Sequence, residues 1–248
     1  MIRAGAQTGT GFTLDVNGRQ YLITARHIAA ALKPEDTIDI RIGDQWSPLK
    51  VKVLLCDKPV DIAVLIPPSQ LTVSFTLEPD TAKFLYGQDA YFTGFPYGLS
   101  TNGKNVNGLY PVAFMKKGVF SATANEDGAT VFFLDGHNNP GFSGGPIVYR
   151  DLNQGGPPVF YVAAVVSGYR PEYEPVLQPQ ELKPGEPIKP EDEERIVTRS
   201  DGKKMKLVDT GQFVRLNTGI VRSYHIKYAL ELIRKNPIGP KVSETFGQ

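Results

Sequence analysis

Asn138-Asn139-Pro140-Gly141-Phe142-Ser143-Gly144-Gly145-Pro146-Ile147-Val148 is the stretch that most restricts how this chain can fold. A serine sits among glycines and prolines, directly before an apolar run of β type. Glycine permits backbone angles closed to other residues and removes the Cβ atoms that would crowd a close approach. The stretch therefore reads as a tight turn leading into a strand, with the Ser143 hydroxyl held clear of the backbone. The same turn can aim the Gly141 and Ser143 N–H groups at one point, as stabilisation of a developing oxyanion requires. A serine hydroxyl alone is a poor nucleophile, so this chemistry needs a histidine and an orienting carboxylate elsewhere.

Both are present. Gly9 to Val16 alternates apolar and polar residues as a half-buried strand does. Asn17-Gly18 is a strong hairpin signal, and Gln20 to Ala25 returns as the partner strand, delivering His27 at its end. Thr37 to Ile42 and Leu49 to Leu55 read as further strands. The turn Asp57-Lys58-Pro59-Val60 leads into Asp61-Ile62-Ala63-Val64-Leu65-Ile66, so Asp61 opens a strand of buried character, with Asp57 a nearby competitor.

After Pro67-Pro68, a second set of strands begins at about Leu85. It takes in the segments around Tyr91, Val112 to Thr123, Thr130 to Leu134, Pro146 to Tyr149 and Val159 to Gly168, with Asn125 to Gly128 as a turn. Arg170 to Gly211 is rich in Pro, Glu and Lys, and reads as a long exposed loop that cannot offset its ordering entropy by burial. Phe213 to Val221 resumes strand character. From Ser223, a plausible N-cap, apolar positions at helical spacing predict a helix over 223–235, closed by Pro237-Ile238-Gly239-Pro240. His225 falls on that helix as a surface or packing residue.

Glycine (25) and proline (20) are plentiful and the apolar runs short, which favours many short strands over long helices. The formal net charge of +1 gives no electrostatic case for nucleic acid or an acidic membrane as a partner. The single cysteine, Cys56, excludes an internal disulfide framework and reads as a small core residue. With no apolar leader and no membrane-length apolar run, a cytoplasmic location is expected. Metal-ligand clusters and glycine-rich phosphate loops are lacking, so no cofactor and no metal are expected.

In the order His27, Asp61, Ser143, the chain resembles the trypsin/chymotrypsin-like serine peptidases, especially the bacterial HtrA-type branch. The resemblance is carried by Thr10-Gly11-Phe12, Leu22 to His27, Asp61 to Leu65 and Gly141 to Pro146, with weaker echoes at Gly94 to Gly98 and Asn217 to Ile220. It implies an all-β fold of two six-stranded antiparallel β-barrels with a C-terminal helix. The first barrel would span 1–84 and carry His27 and Asp61. The second would span 85–248 and carry Ser143, with a long loop over 170–211. It also implies a serine endopeptidase acting on peptide or protein substrates: Ser143 as nucleophile, His27 as general base then acid, Asp61 fixing the imidazole, and the Gly141 and Ser143 amides as oxyanion hole.

By position in that family, His137 lies near the base of the primary specificity pocket, with Ser167, Tyr169 and Gly219 along its walls. A histidine there can favour an acidic or polar side chain before the cleaved bond, and Tyr169 can instead narrow the pocket. The resemblance has departures. Phe142 stands where digestive members carry an aspartate that pairs with a newly cut N-terminus, so activation by that route is not expected. Arg26 replaces the usual small residue and is expected on the surface.

Two other functions compete. Gly141-Phe142-Ser143-Gly144-Gly145 also fits the Gly-x-Ser-x-Gly elbow of α/β-hydrolases, but that fold needs a helix after the serine and the order Ser, Asp, His. An inactive or gated peptidase fold that binds peptides, or that answers to a regulatory partner, is the other alternative.

Overall fold

The computed structural model describes residues 1–74, 77–101, 109–152, 157–183, 185 and 187–243. The first strands are β1 (Ile2–Ala4), β2 (Gln7–Gly9), β3 (Gly11–Val16), β4 (Arg19–Thr24), β5 (Glu35–Ile42), β6 (Gln45–Leu55) and β7 (Ala63–Ile66), with a one-turn helix α1 (Arg26–Ala29) after β4. They form one sheet in the order β2-β1-β5-β6-β7-β4-β3. Its two outer strands, β2 and β3, are separated in the chain by Thr10 alone, so the sheet curls back on itself into a barrel.

The second set comprises β8 (Glu78–Pro79), β9 (Asp89–Gly94), β10 (Phe114–Glu126), β11 (Ala129–Asp135), β12 (Pro146–Arg150), β13 (Phe160–Glu181), β14 (Ile196–Thr198) and β15 (Lys204–His225), followed by α2 (Lys227–Lys235). Its order is β14-β15-β11-β10-β9-β12-β13-β8, and a further pairing of β13 with β15 returns the order on itself. Both sheets are thus barrel-like, with seven and eight described strands where six each were expected, and antiparallel along the stated order except where β8 pairs with β13 in parallel.

Period-two alternation explains how one apolar strand serves two cores. Along Ile62 to Ile66, Ala63 and Leu65 point into the first barrel. Ile62, Val64 and Ile66 point instead to a junction core shared with Val131 and Val162 of the second barrel and with Ala229 and Ile233 of α2. A strand covered on both faces reads as an unbroken apolar run. The second barrel is filled mainly by aromatics, with Phe84 stacked on Phe120 at 4.1 Å between ring centroids.

Two local expectations are corrected. The helix starts at Lys227, not 223, because Ser223 is a buried strand residue whose Oγ donates to Phe132 O at 3.0 Å. His225 lies at the end of β15, not on the helix, and its Nδ1 accepts the Lys227 N–H at 3.0 Å. Arg26 is half-buried rather than on the surface, and its Nε donates to Cys56 O at 3.0 Å.

The stretch 170–211, expected as a loop, is largely strand. Residues 171–218 form a compact unit of their own. Within it lie the distal half of β13, a 3-10 segment at Pro190–Arg195, β14 and the first part of β15. Positions 184 and 186, part of the polar run singled out in the sequence, lie outside the described residues. Order here comes from backbone pairing: Ile196 to Thr198 pair with Lys206 to Lys204. Exposed ion pairs such as Lys203–Glu181 at 2.7 Å accompany it. An antiparallel ladder satisfies N–H and C=O groups whatever the side chains, so composition alone misreads such a segment.

Candidate active site

His27 lies in α1, the single turn that follows β4. Asp61 lies between the Asp57–Val60 turn, closed by Val60 N–H to Asp57 O at 3.0 Å, and β7. The pairing of β4 with β7, Thr24 opposite Ala63, sets these two strand ends side by side. Asp61 accepts the His27 backbone N–H on Oδ1 at 2.8 Å and meets His27 Nδ1 through Oδ2 at 2.7 Å. A carboxylate oxygen accepts here, so the proton of this contact sits on Nδ1, and in the neutral tautomer that makes this bond Nε2 keeps its lone pair. Of the two candidate aspartates, the structure brings Asp61 to the histidine.

A further contact, to Ser167, joins this pair to the second barrel. Ser167 Oγ donates to Asp61 Oδ2 at 2.6 Å, and Ser167 O accepts Ser143 Oγ at 3.0 Å. Ser167 was read from sequence as a pocket wall; in the structure it links the carboxylate to the serine. Among the described hydrogen bonds, the Ser143 hydroxyl goes to Ser167 O and not to His27.

The loop carrying Ser143 is built by close backbone approach. Gly141 has φ +104° and Gly144 φ +85°, and a Cβ would overlap Phe95 O at the first and Thr10 O at the second. Only glycine fits at either place. Gly141 O accepts Thr10 Oγ1 at 2.7 Å and the Phe95 N–H at 3.3 Å, while Ser143 O accepts the Thr10 N–H at 2.8 Å. Gly144 N–H donates to Val166 O at 2.7 Å and Gly145 N–H to Phe142 O at 2.9 Å. Within this network the N–H groups of Gly141 and Ser143 donate to no acceptor among the described residues.

Phe142 is fully buried and meets Phe92 edge-on, with centroids 5.3 Å apart at 68°. Phe142 is therefore an apolar anchor for the loop. Above it, Lys116 Nζ lies 5.3 Å from the ring centroid and donates to His137 O at 2.8 Å and to Asn139 Oδ1. Desolvation holds the Lys116 ammonium below the usual lysine range.

The remaining residues named from sequence are more dispersed. His137 is exposed, with its carbonyl taken by Lys116; its neighbour Asn138 is buried. Tyr169 is half-buried, two residues beyond Ser167 on β13, and Gly219 accepts the Gly136 N–H at 2.7 Å. Sequence reasoning missed Lys116 as a loop contact, and noted Thr10 only as part of a motif. Neither residue has a local signal, because their partners lie 21 or more positions away. No cluster of three or more metal-ligating side chains occurs among the described residues.

A family model described as the trypsin-like peptidase domain matches residues 9–154. No curated protein matches the chain. Among solved structures, the HtrA-type protease AlgW with a decapeptide is 16% identical, at a TM-score of 0.54, over 93% of this chain and 52% of that one. The same protease with a tripeptide gives 16% identity and a TM-score of 0.52, over 97% and 56%. The MamO protease domain from Magnetospirillum magneticum, in its apo form, is 13% identical at a TM-score of 0.45, over 93% and 92%. The chain spans about half the length of the HtrA-type protease it matches, and at these identities the likeness is one of fold.

Proposed function

Because the chain belongs to the trypsin-like peptidase domain family, we propose that it is a serine endopeptidase with Ser143 as nucleophile, His27 as general base and Asp61 as the orienting carboxylate. One observation carries this reading: Asp61 is bonded to His27 and to the Ser167 hydroxyl, and the carbonyl of the same Ser167 takes the Ser143 hydroxyl, so residues of both barrels meet at one place. In the reaction, Ser143 Oγ turns from Ser167 O towards His27 Nε2, gives up its proton and attacks the substrate carbonyl. The imidazolium that forms is stabilised by Asp61 through Nδ1–H, and the oxyanion is received by the Gly141 and Ser143 N–H groups. His27 then returns the proton to the leaving amine. Water, activated by the same imidazole, releases the acyl group.

Mapping the cuts made in a complex peptide mixture, with Ser143→Ala as control, tests the reading. Cuts that vanish in the control support it, and cuts that persist or never occur reject it. The exposed His137 leads to an expected bias towards Glu or Asp before the cut; an aliphatic or basic bias removes His137 from the specificity pocket. A gated peptidase is the second reading, favoured by the Ser143 hydroxyl resting on Ser167 O. Turnover that appears only after addition of an activating peptide would select it.

A further inference from the structure

Thr10, between β2 and β3, is 2% exposed. A threonine hydroxyl offers one proton and two lone pairs. Here the proton goes to Gly141 O at 2.7 Å, and a lone pair takes the Phe95 N–H at 3.2 Å. The main chain is engaged as well: its N–H donates to Ser143 O at 2.8 Å, and its carbonyl accepts Thr24 Oγ1 at 2.8 Å. Two of these bonds end on the serine loop, on the carbonyls of Gly141 and Ser143.

Peptide groups are planar. Gripping the Gly141 carbonyl fixes the plane that carries the Phe142 N–H, and gripping the Ser143 carbonyl fixes the plane that carries the Gly144 N–H. The peptide that carries the Ser143 N–H lies between those two and is held further by Phe142 O accepting the Gly145 N–H at 2.9 Å, while the Gly141 N–H plane, held by Pro140 O accepting the Tyr97 N–H at 2.8 Å, adjoins the first of them. Gly141 needs such a grip because its φ of +104° is one of many angles open to a glycine. Without the hydroxyl, Gly141 O keeps only the longer bond from the Phe95 N–H, at 3.3 Å.

We propose that Thr10 is a positioning residue whose hydroxyl holds the serine loop with the Gly141 and Ser143 N–H groups convergent. This rests on the peptidase reading above, and it assigns the first barrel a part in oxyanion stabilisation beyond supplying His27 and Asp61.

Thr10→Val keeps the shape and removes the hydroxyl, whereas Thr10→Ser restores it. On a fluorogenic peptide, Thr10→Val is expected to lower kcat about 10- to 100-fold with KM changed less than about 3-fold, since small misplacements of reacting groups cost rate rather than binding. Thr10→Ser is expected to stay within about 3-fold of the parent. Independently of turnover, the backbone amide resonances of Gly141 and Ser143 are expected to shift in Thr10→Val and return in Thr10→Ser. If Thr10→Val does not fold, Thr10→Ala, which adds no bulk, carries the same comparison. Unmoved amides, a loss confined to KM, or a loss that serine does not repair would each overturn the proposal. A parent chain that cuts nothing refutes the peptidase reading, while the amide shifts still decide whether Thr10 holds the loop.

Discussion

Truncating Phe142 to alanine removes the apolar anchor of the serine loop, and the structure sets the size of the effect. The ring is fully buried. A buried phenylalanine covers about 150–200 Å² at about 25 cal/mol per Å², or roughly 4–5 kcal/mol of transfer free energy. Its edge-on contact with Phe92 adds up to about 1 kcal/mol. Relaxation into the space is restricted, because the Gly94 backbone packs against the ring. Alanine keeps the burial of Cβ, so Phe142→Ala is expected to cost about 4–5 kcal/mol, at the upper end of the usual range for such truncations. Phe142→Leu, which keeps most of the volume, is expected to cost about 1–1.5 kcal/mol. Urea unfolding followed by circular dichroism measures both, with the midpoint falling at unchanged slope. A cost below about 1 kcal/mol for the alanine variant would refute the reasoning, because it would mean that the ring is not a working part of the second-barrel core.

Other outcomes follow from the same geometry. Ser167→Ala removes a hydrogen bond to the Asp61 carboxylate and is expected to reduce kcat about 10-fold in steady-state assays, with KM little changed. Burial pushes the Cys56 thiol up to about 12, so it is expected to resist iodoacetamide at pH 8 in the folded chain and to react only on unfolding. His225 is pushed down to about 4 by burial and by Lys227, so it is neutral in the folded state across most of the acidic range. Between about pH 6.5 and 4 the unfolded chain binds this proton and the folded chain does not. Stability therefore falls as pH falls through that window, by about 1–2 kcal/mol after discounting for partial exposure, and thermal melts against His225→Asn should show the difference.

Much of the first barrel was legible because its signals are local. Asn17 and Gly18 both have positive φ in the hairpin that pairs Val16 with Arg19, as the Asn-Gly dipeptide foretold. Asp127 and Gly128 play the same part between β10 and β11. His27 after a strand and Asp61 before one were also visible, since each is defined by the apolar run beside it. What escaped was set by distant partners. Ser223 looks like a helix cap until its bond to Phe132, 91 positions earlier, is known. The 170–211 stretch looks like a loop because side-chain composition does not report backbone pairing. Lys116 and Thr10 reach the serine loop from β10 and from the β2–β3 junction, and no spacing rule connects them to it.

The central claim, that His27 activates Ser143, is tested most directly by treating the intact chain with a fluorophosphonate and locating the adduct by mass spectrometry. The account expects one adduct on Ser143 that is lost in both Ser143→Ala and His27→Ala. An adduct elsewhere, or labelling of Ser143 at the same rate without His27, would contradict it.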